Sequence, residues 1–292
     1  MGRPMNNVAL GISRLSMLAF LVSSMLAVGL SLTVSEIIGP LRSVRLVVAG
    51  LLANFILVPL IAVGAAKLLQ LEQPFAIGLL LLGLAPGAPF LPKLIELMKG
   101  DLACSVGLLV LLMAGSMVFL PLALPRLLPG VEVSIWQIAR PLLFLMALPL
   151  SAGLILRARY ERFAARCRPG LNRVANATLC VVLVFVIGLN LPGVLHVFGT
   201  GAVAAAVLFT AVAAIAGHLL GGPGLATRRV MALGTGFRNI AAALVVAEED
   251  FPDPKVSVML VVTALLGLVI LLPATVAWGR RAVPVPAMKT SD

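Results

Sequence analysis

GLLLLGLAPGAPFLPKLIELMKGD, residues 78–101, and ALGTGFRNIAAALVVAEED, residues 232–250, decide how this chain folds. Each begins as an apolar helix and then meets residues that a regular helix cannot carry. In the first, Pro86, Gly87, Pro89 and Pro92 fall close together, and proline removes a backbone donor and clashes with the preceding turn. In the second, Gly234, Thr235, Gly236 and Phe237 lead into an Arg238-Asn239 pair in mid-run. Both segments resume as short helical stretches ending in acidic residues, Asp101 and residues 248–250.

The surrounding composition is that of a polytopic membrane protein. Of 292 residues, 61% are hydrophobic and 11% charged, and the mean hydropathy is +1.14. A soluble domain carries about 25% charged residues. The net charge is +11, but the cations lie between apolar runs rather than on one wet face, which argues against a nucleic-acid binder. Stretches free of Asp, Glu, Lys and Arg cover residues 15–35, 46–66, 73–92, 102–125, 141–156, 174–227 and 256–279. At about 20 residues per crossing they supply eight spans, with 174–227 holding two around a turn near 190–201. A ninth, 230–247, is interrupted by Arg238.

Broken backbone at membrane depth is tolerated only where protein or a water-filled cavity satisfies it. A pair of such segments in corresponding halves points to a transporter built from inverted repeats. An ionisable group inside a span, here Arg238, is expensive and usually functional. The expected fold is an all-α membrane protein of about nine transmembrane helices, two of them broken. The membrane domain covers residues 1–282, and 283–292 reads as a disordered tail.

Charge sets the orientation. RARYERFAARCRPGLNR, residues 157–173, reads as a loop with six arginines, cytoplasmic by the positive-inside rule. Alternation then puts the N-terminus outside and the C-terminus inside, in a bacterial inner membrane. On that topology 15 of the 22 Lys and Arg lie inside, 6 outside, and Arg238 within a span. Arg3 and Arg14 before LSMLAFLVSSMLAV suggest a signal peptide, but the run lacks an A-x-A site and is read as a retained helix. Cys104, Cys167 and Cys180 show no CxxC or Cys/His spacing and read as packing residues. No cofactor or metal site is expected.

At the two broken segments the chain resembles the bile acid:sodium symporter family. The match is carried by VGLSLTVSE (28–36), LLANFILVPLIAVGAAKLLQL (51–71), GLLLLGLAPGAPFLPKLIELMKGDLACSV (78–106) and MALGTGFRNIAAALV (231–245). The resemblance extends over nearly the whole chain, without the family's extra first helix. It implies a core of spans near 46–68, 75–98, 102–125, 201–221, 229–249 and 256–279. A panel would be formed by spans near 13–34, 136–157 and 174–193. Substrate would bind in the cleft beside the crossing of the broken helices, and sodium would be co-transported with amphipathic or small organic anions.

The chain departs from the family pattern where sodium would bind. A Ser-Asn pair of ligands falls on Leu91 and Pro92, and the next position is Lys93. A threonine ligand falls on Leu109, a bridging glutamate on Gly234, and a glutamine on Arg238. Ser105 and Asn239 are retained, and Asn54 replaces a glutamine. The crossover site is therefore expected at Asn54, Pro86, Gly87, Pro92, Lys93, Ser105, Gly234, Thr235, Gly236, Phe237, Arg238 and Asn239. Losing a carboxylate and gaining a permanent cation opposes a bound sodium, so ordinary sodium coupling is not expected. Arg238 reads either as a structural surrogate for the ion or as a fork for a substrate carboxylate. Lys93 reads either as a proton-coupling group or as a side chain reaching for the cytoplasmic surface.

The remaining polar residues suggest lesser roles. His218 reads as a packing residue, His196 lies in an outer loop, and Glu96 with Lys99 reads as a surface pair. The leading function is a secondary transporter of small organic anions by alternating access. A metalloid or other efflux carrier with related broken helices is the alternative. No paired carboxylates, HExxH or GxSxG signature occurs in the spans, which argues against an intramembrane enzyme. The expected partners are an anionic small molecule and the bilayer, and the oligomeric state stays open.

Overall fold

The computed structural model describes residues 3–127, 136, 140, 143–197, 199–251 and 253–280, and every regular element among them is helical. α1 (Arg3–Gly29) is followed by the short α2 (Val34–Leu41), which turns away from its apolar part by 91°. Thr33 explains the corner. It caps α2 through a reciprocal capping box with Glu36, satisfying end donors that would otherwise be orphaned. Arg157 donates to the carbonyls of Leu30 and Ser31 just past the end of α1.

α3 (Val44–Leu68) is a single run long and apolar enough to cross a membrane but contains a π-turn at Ala53–Leu57. α4 (Gln73–Leu84) and α5 (Leu91–Leu97) are the two halves of the first broken segment. α6 (Leu102–Leu127) follows. α7 begins as a π-turn, Leu143–Ala147, and continues as Leu148–Arg159. α8 (Glu161–His196), α9 (Ala202–Leu220), α10 (Leu225–Gly236), α11 (Ile240–Asp250) and α12 (Pro254–Arg280) complete the chain. Both π-turns end two residues before a proline, Pro59 and Pro149. A proline ring cannot sit in a regular turn, and one extra residue in the turn is a way around the clash.

Two sets of helices pack internally. α1, α7 and α8 contact one another, while α4, α9 and α12 form a second set joined by α3. Small residues permit the closest approach in the first set. A Cβ on Gly29 would lie 2.9 Å from the Gly153 Cα, and the reverse is equally tight. In the second set Phe209, Leu79, Leu82 and Met259 are fully or almost fully buried in one core. Phe20 of α1 meets Phe90, beside the first break, at a ring separation of 4.7 Å, linking the sets.

Among the described residues, four helices are long and apolar enough to cross a membrane, or five if α1 and α2 count as one bent span. The expected nine depends on reading each broken pair as one crossing. α4, α5, α10 and α11 have 12, 7, 12 and 11 residues, each too short to span alone. The arginine-rich stretch 157–173 is not a loop. α7 runs to Arg159, only Tyr160 interrupts, and α8 starts at Glu161, as its Ala- and Arg-rich sequence favours. The turn expected near 190–201 is shorter too, because Asn190 and His196 both lie within α8. The start of the fifth span, 137–139 and 141–142, and the tail 283–292 lie outside the described residues.

Candidate functional site at the meeting of two helix breaks

Proline and glycine end the first helix as the sequence requires. α4 stops at Leu84, and Ala85 leaves helical geometry with ψ 74°. Gly87 adopts φ +84°, a left-handed conformation that costs glycine little. α5 then starts with Pro92 in its first turn, where its missing N–H costs no intrahelical bond. The last carbonyls of α4 have no helical donors, and they lie in a buried position rather than in water.

The second break supplies what the first lacks. α10 ends at Gly236, and Phe237 is extended, with φ −88° and ψ 131°. The Asn239 backbone N–H donates to the Ala85 carbonyl at 2.8 Å. Its side-chain oxygen accepts from the Ala242 N–H at 3.2 Å and caps α11. The two breaks thus meet through backbone, and one asparagine serves both.

Arg238 fills the space between them and is 7% exposed. Its Nε donates to the Leu82 carbonyl at 3.2 Å, and Nη2 to the Gly83 carbonyl at 2.6 Å. Nη1 donates to Asn54 Oδ1 at 2.6 Å and the Thr235 carbonyl at 3.5 Å, while Nη2 also reaches the Asn54 carbonyl at 3.4 Å. A guanidinium has five N–H groups, and five oxygens receive them. None of those oxygens belongs to a carboxylate. Two come from the C-terminal end of α4, where the helix dipole favours a cation.

The π-turn explains why Asn54 can offer two oxygens. Its extra residue sends the Val58 N–H to the Ala53 carbonyl, leaving the Asn54 carbonyl free for Arg238. The Asn54 Nδ2 donates to the Gly50 carbonyl at 3.0 Å and the Thr235 hydroxyl at 3.4 Å. This fixes the amide with its oxygen toward the guanidinium.

The expected site residues do not all converge. Asn54, Thr235, Arg238 and Asn239 form one buried network, with Pro86, Gly87, Gly236 and Phe237 shaping the two breaks around it. Ser105 bonds the Leu102 carbonyl on its own helix at 2.7 Å. Gly234 faces side chains, since a Cβ there would come within 2.7 Å of Leu108 and 3.3 Å of Leu91. With Leu109 also buried, the position implied for a bridging carboxylate is lined by leucine.

Lys93 turns away to Glu96, with Nζ 2.8 Å from Oε2, and Arg168 of α8 stands 3.6 Å from Oε1. The expected Glu96–Lys99 pair does not form, because Lys99 lies past the end of α5 at φ +54°. Beyond the spacing of Lys93 and Glu96, nothing in the sequence pattern marks Glu96, Arg168, Asn172 and Asn176 as neighbours of Lys93. His218 stacks on Trp278 at 6.4 Å, and Arg229 lies over the same ring at 5.5 Å.

A model of the Sodium Bile acid symporter family matches residues 18–197. The chain belongs to that family. The match includes the first break and stops before the second. A probable chloroplastic sodium/metabolite cotransporter of Arabidopsis thaliana is 25% identical over 90% of this chain and 66% of its own length. A second, from Oryza sativa subsp. japonica, is 25% identical over 89% and 63%. An uncharacterized sodium-dependent transporter of Bacillus subtilis is 28% identical over 58% and 50%. The chain thus spans slightly under two thirds of the two plant relatives' length. Family and apolar helices together make it an integral membrane protein.

Proposed function

We propose that the chain is a secondary transporter of small organic anions in which Arg238 stands where relatives hold sodium. On this reading α1, α7 and α8 act as a panel, and the other spans as a core that moves against it. The observation that carries it is the complete use of the Arg238 donors by five neutral oxygens. A guanidinium so engaged has no donor left for a substrate carboxylate, which favours the structural role over the substrate fork.

Sodium is a hard cation that takes oxygen ligands in exchange for its water. Here the oxygens are already held by a charged group. At about 4 Å, sodium and a guanidinium repel by about 4 kcal/mol at an effective dielectric near 20. The position implied for a bridging carboxylate is Gly234, packed against Leu91 and Leu108. The relatives' names include sodium, and the reading departs from them on these residues alone.

Uptake of a panel of organic anions into proteoliposomes, with and without a sodium gradient, tests both halves. Uptake that ignores the gradient is expected. Strictly sodium-dependent uptake by the wild type would remove the surrogate role, and no uptake of any organic anion would remove transport.

A further inference from the structure

The end of α9, the start of α10 and the end of α12 meet at one corner of the molecule. Gly221, Gly222, Pro223 and Gly224 turn α9 back into α10, and a Cβ on Gly221 would run into the Arg228 backbone. His218, in the last turn of α9, stacks on Trp278, in the last turn of α12, with ring centroids 6.4 Å apart. Arg229 of α10 lies over the same indole at 5.5 Å, a contact that favours a cation.

The corner lies at the edge of the apolar bundle. Arg229 precedes the end of α10 at Gly236 by two turns, about 10 Å at 1.5 Å per residue. Helical side chains lean toward the N-terminus, which here points away from the break. With a hydrocarbon core about 30 Å thick, a guanidinium that far from a break at mid-depth reaches the headgroup level, where Trp is also favoured.

The charges at this corner have no counter-charge. Arg228 gives its Nε to the Gly222 carbonyl at 2.6 Å. Among the described residues Arg229 and Arg280 make no ion pair and no hydrogen bond, and the Arg229 Nε is buried without an acceptor. Gly279 packs on Leu97 and Met98 at the end of α5. The acidic residue just beyond, Asp101, is taken up in capping α6, where it accepts from the Cys104 N–H at 2.9 Å. A buried donor without a partner is costly, and a phosphate offers paired oxygens that match the arginine fork. Beside the arginines, Leu219 and Leu225 are 70% and 55% exposed. Apolar side chains at that place suit acyl chains, which distinguishes a lipid from a free anion.

We propose that this corner binds the phosphodiester headgroup of an anionic phospholipid. Arg229 supplies the fork and Trp278 backs its guanidinium. Arg228 and Arg280 add charge that favours a net-negative headgroup over a zwitterionic one, as basic pockets between membrane helices do. Leu219 and Leu225 lie along the acyl chains. The lipid ties α9, α10 and α12 together on the side of the second break.

The test is lipid titration of the purified full chain in detergent, read by native mass spectrometry. The probes are dioleoyl phosphatidylglycerol and dioleoyl phosphatidylcholine, which share acyl chains and differ in headgroup charge. The phosphatidylglycerol should bind at least about 10-fold tighter, the effect of about one charge-assisted hydrogen bond. Arg229→Gln should bring the two lipids within about 3-fold of each other. Arg280→Gln, at an exposed side chain, should narrow the preference a few-fold. Lys67→Gln removes an exposed charge from the last turn of α3, beside the start of α9, and should leave the preference intact. Excess inorganic phosphate should not displace the lipid.

Equal binding of the two lipids overturns the proposal. So does a preference that survives both arginine variants, or one that Lys67→Gln lowers as much as they do. Where Arg229→Gln does not fold, Arg280→Gln decides alone, and an unchanged preference there overturns the assignment. Displacement by inorganic phosphate would mean a free-anion site and overturn the lipid as occupant.

Discussion

Arg238 and Lys93 are the two cations that sequence places at the broken helices, and the structure holds them in opposite ways. Arg238 is enclosed by five neutral oxygens, four of them backbone carbonyls. Lys93 faces a cavity and holds a carboxylate that has a second cation nearby. The first arrangement cannot release its cation without stranding buried acceptors. The second can, because Glu96 keeps Arg168. What surrounds a charge inside a membrane protein, more than its depth, decides whether it is structural or exchangeable.

The comparison breaks most sharply at Arg238. Arg238→Met leaves the carbonyls of Leu82, Gly83, Asn54 and Thr235 without this donor in a buried setting. Each stranded acceptor costs about 1–3 kcal/mol, so a loss of at least about 3 kcal/mol is expected in thermal unfolding of the purified protein. Arg238→Lys keeps the charge but has fewer donors and no planar fork, and should fall between. An Arg238→Met protein as stable as wild type would show that the breaks hold together without it.

If the enclosed charge occupies the ion's place, added sodium has no site left to fill. Replacing choline chloride by sodium chloride at equal ionic strength should not raise the wild-type melting temperature. A ligand that binds only the folded state stabilises it by mass action, so a sodium-specific rise would expose an ion site that Arg238 does not fill. A smaller effect is expected at Asn54, which supplies one of the five oxygens from its side chain. Asn54→Ala should cost about 1–3 kcal/mol and leave the carbonyl contacts in place. Loss comparable to Arg238→Met would mean that the π-turn itself depends on the amide.

Much of this contrast was readable in the residues, and some was not. Pro86 and Gly87 marked the first break because they cannot continue a regular helix, whereas Gly234 and Gly236 lie within α10 and only flank the second, which falls at Phe237. Arg238 stood out because charge at membrane depth needs a reason. The π-turn was hidden because apolar periodicity does not register one extra residue, although Pro59 was its trace. Sequence position alone puts Lys93 at the crossover, but a side chain on α5 reaches Glu96 one turn along. Spacing matches Glu96 with Lys99, whose left-handed backbone breaks the i,i+3 relation. Asn172 lay in the arginine-rich stretch that reads as a loop. Once that stretch is helical, Asn172 and Asn176 share a face beside the cavity.

A third cation completes the series and carries the smallest expected effect. Lys255, in the first turn of α12, pairs with Glu72 at 2.6 Å, and both side chains are exposed. Exposed pairs are screened and contribute little. Lys255→Met should therefore melt within error of wild type at neutral pH, with or without added salt. A drop of several degrees that salt abolished would show that an exposed pair can matter here as an enclosed one does. The contrast drawn from Arg238 and Lys93 would then have to include solvent-facing charges as well.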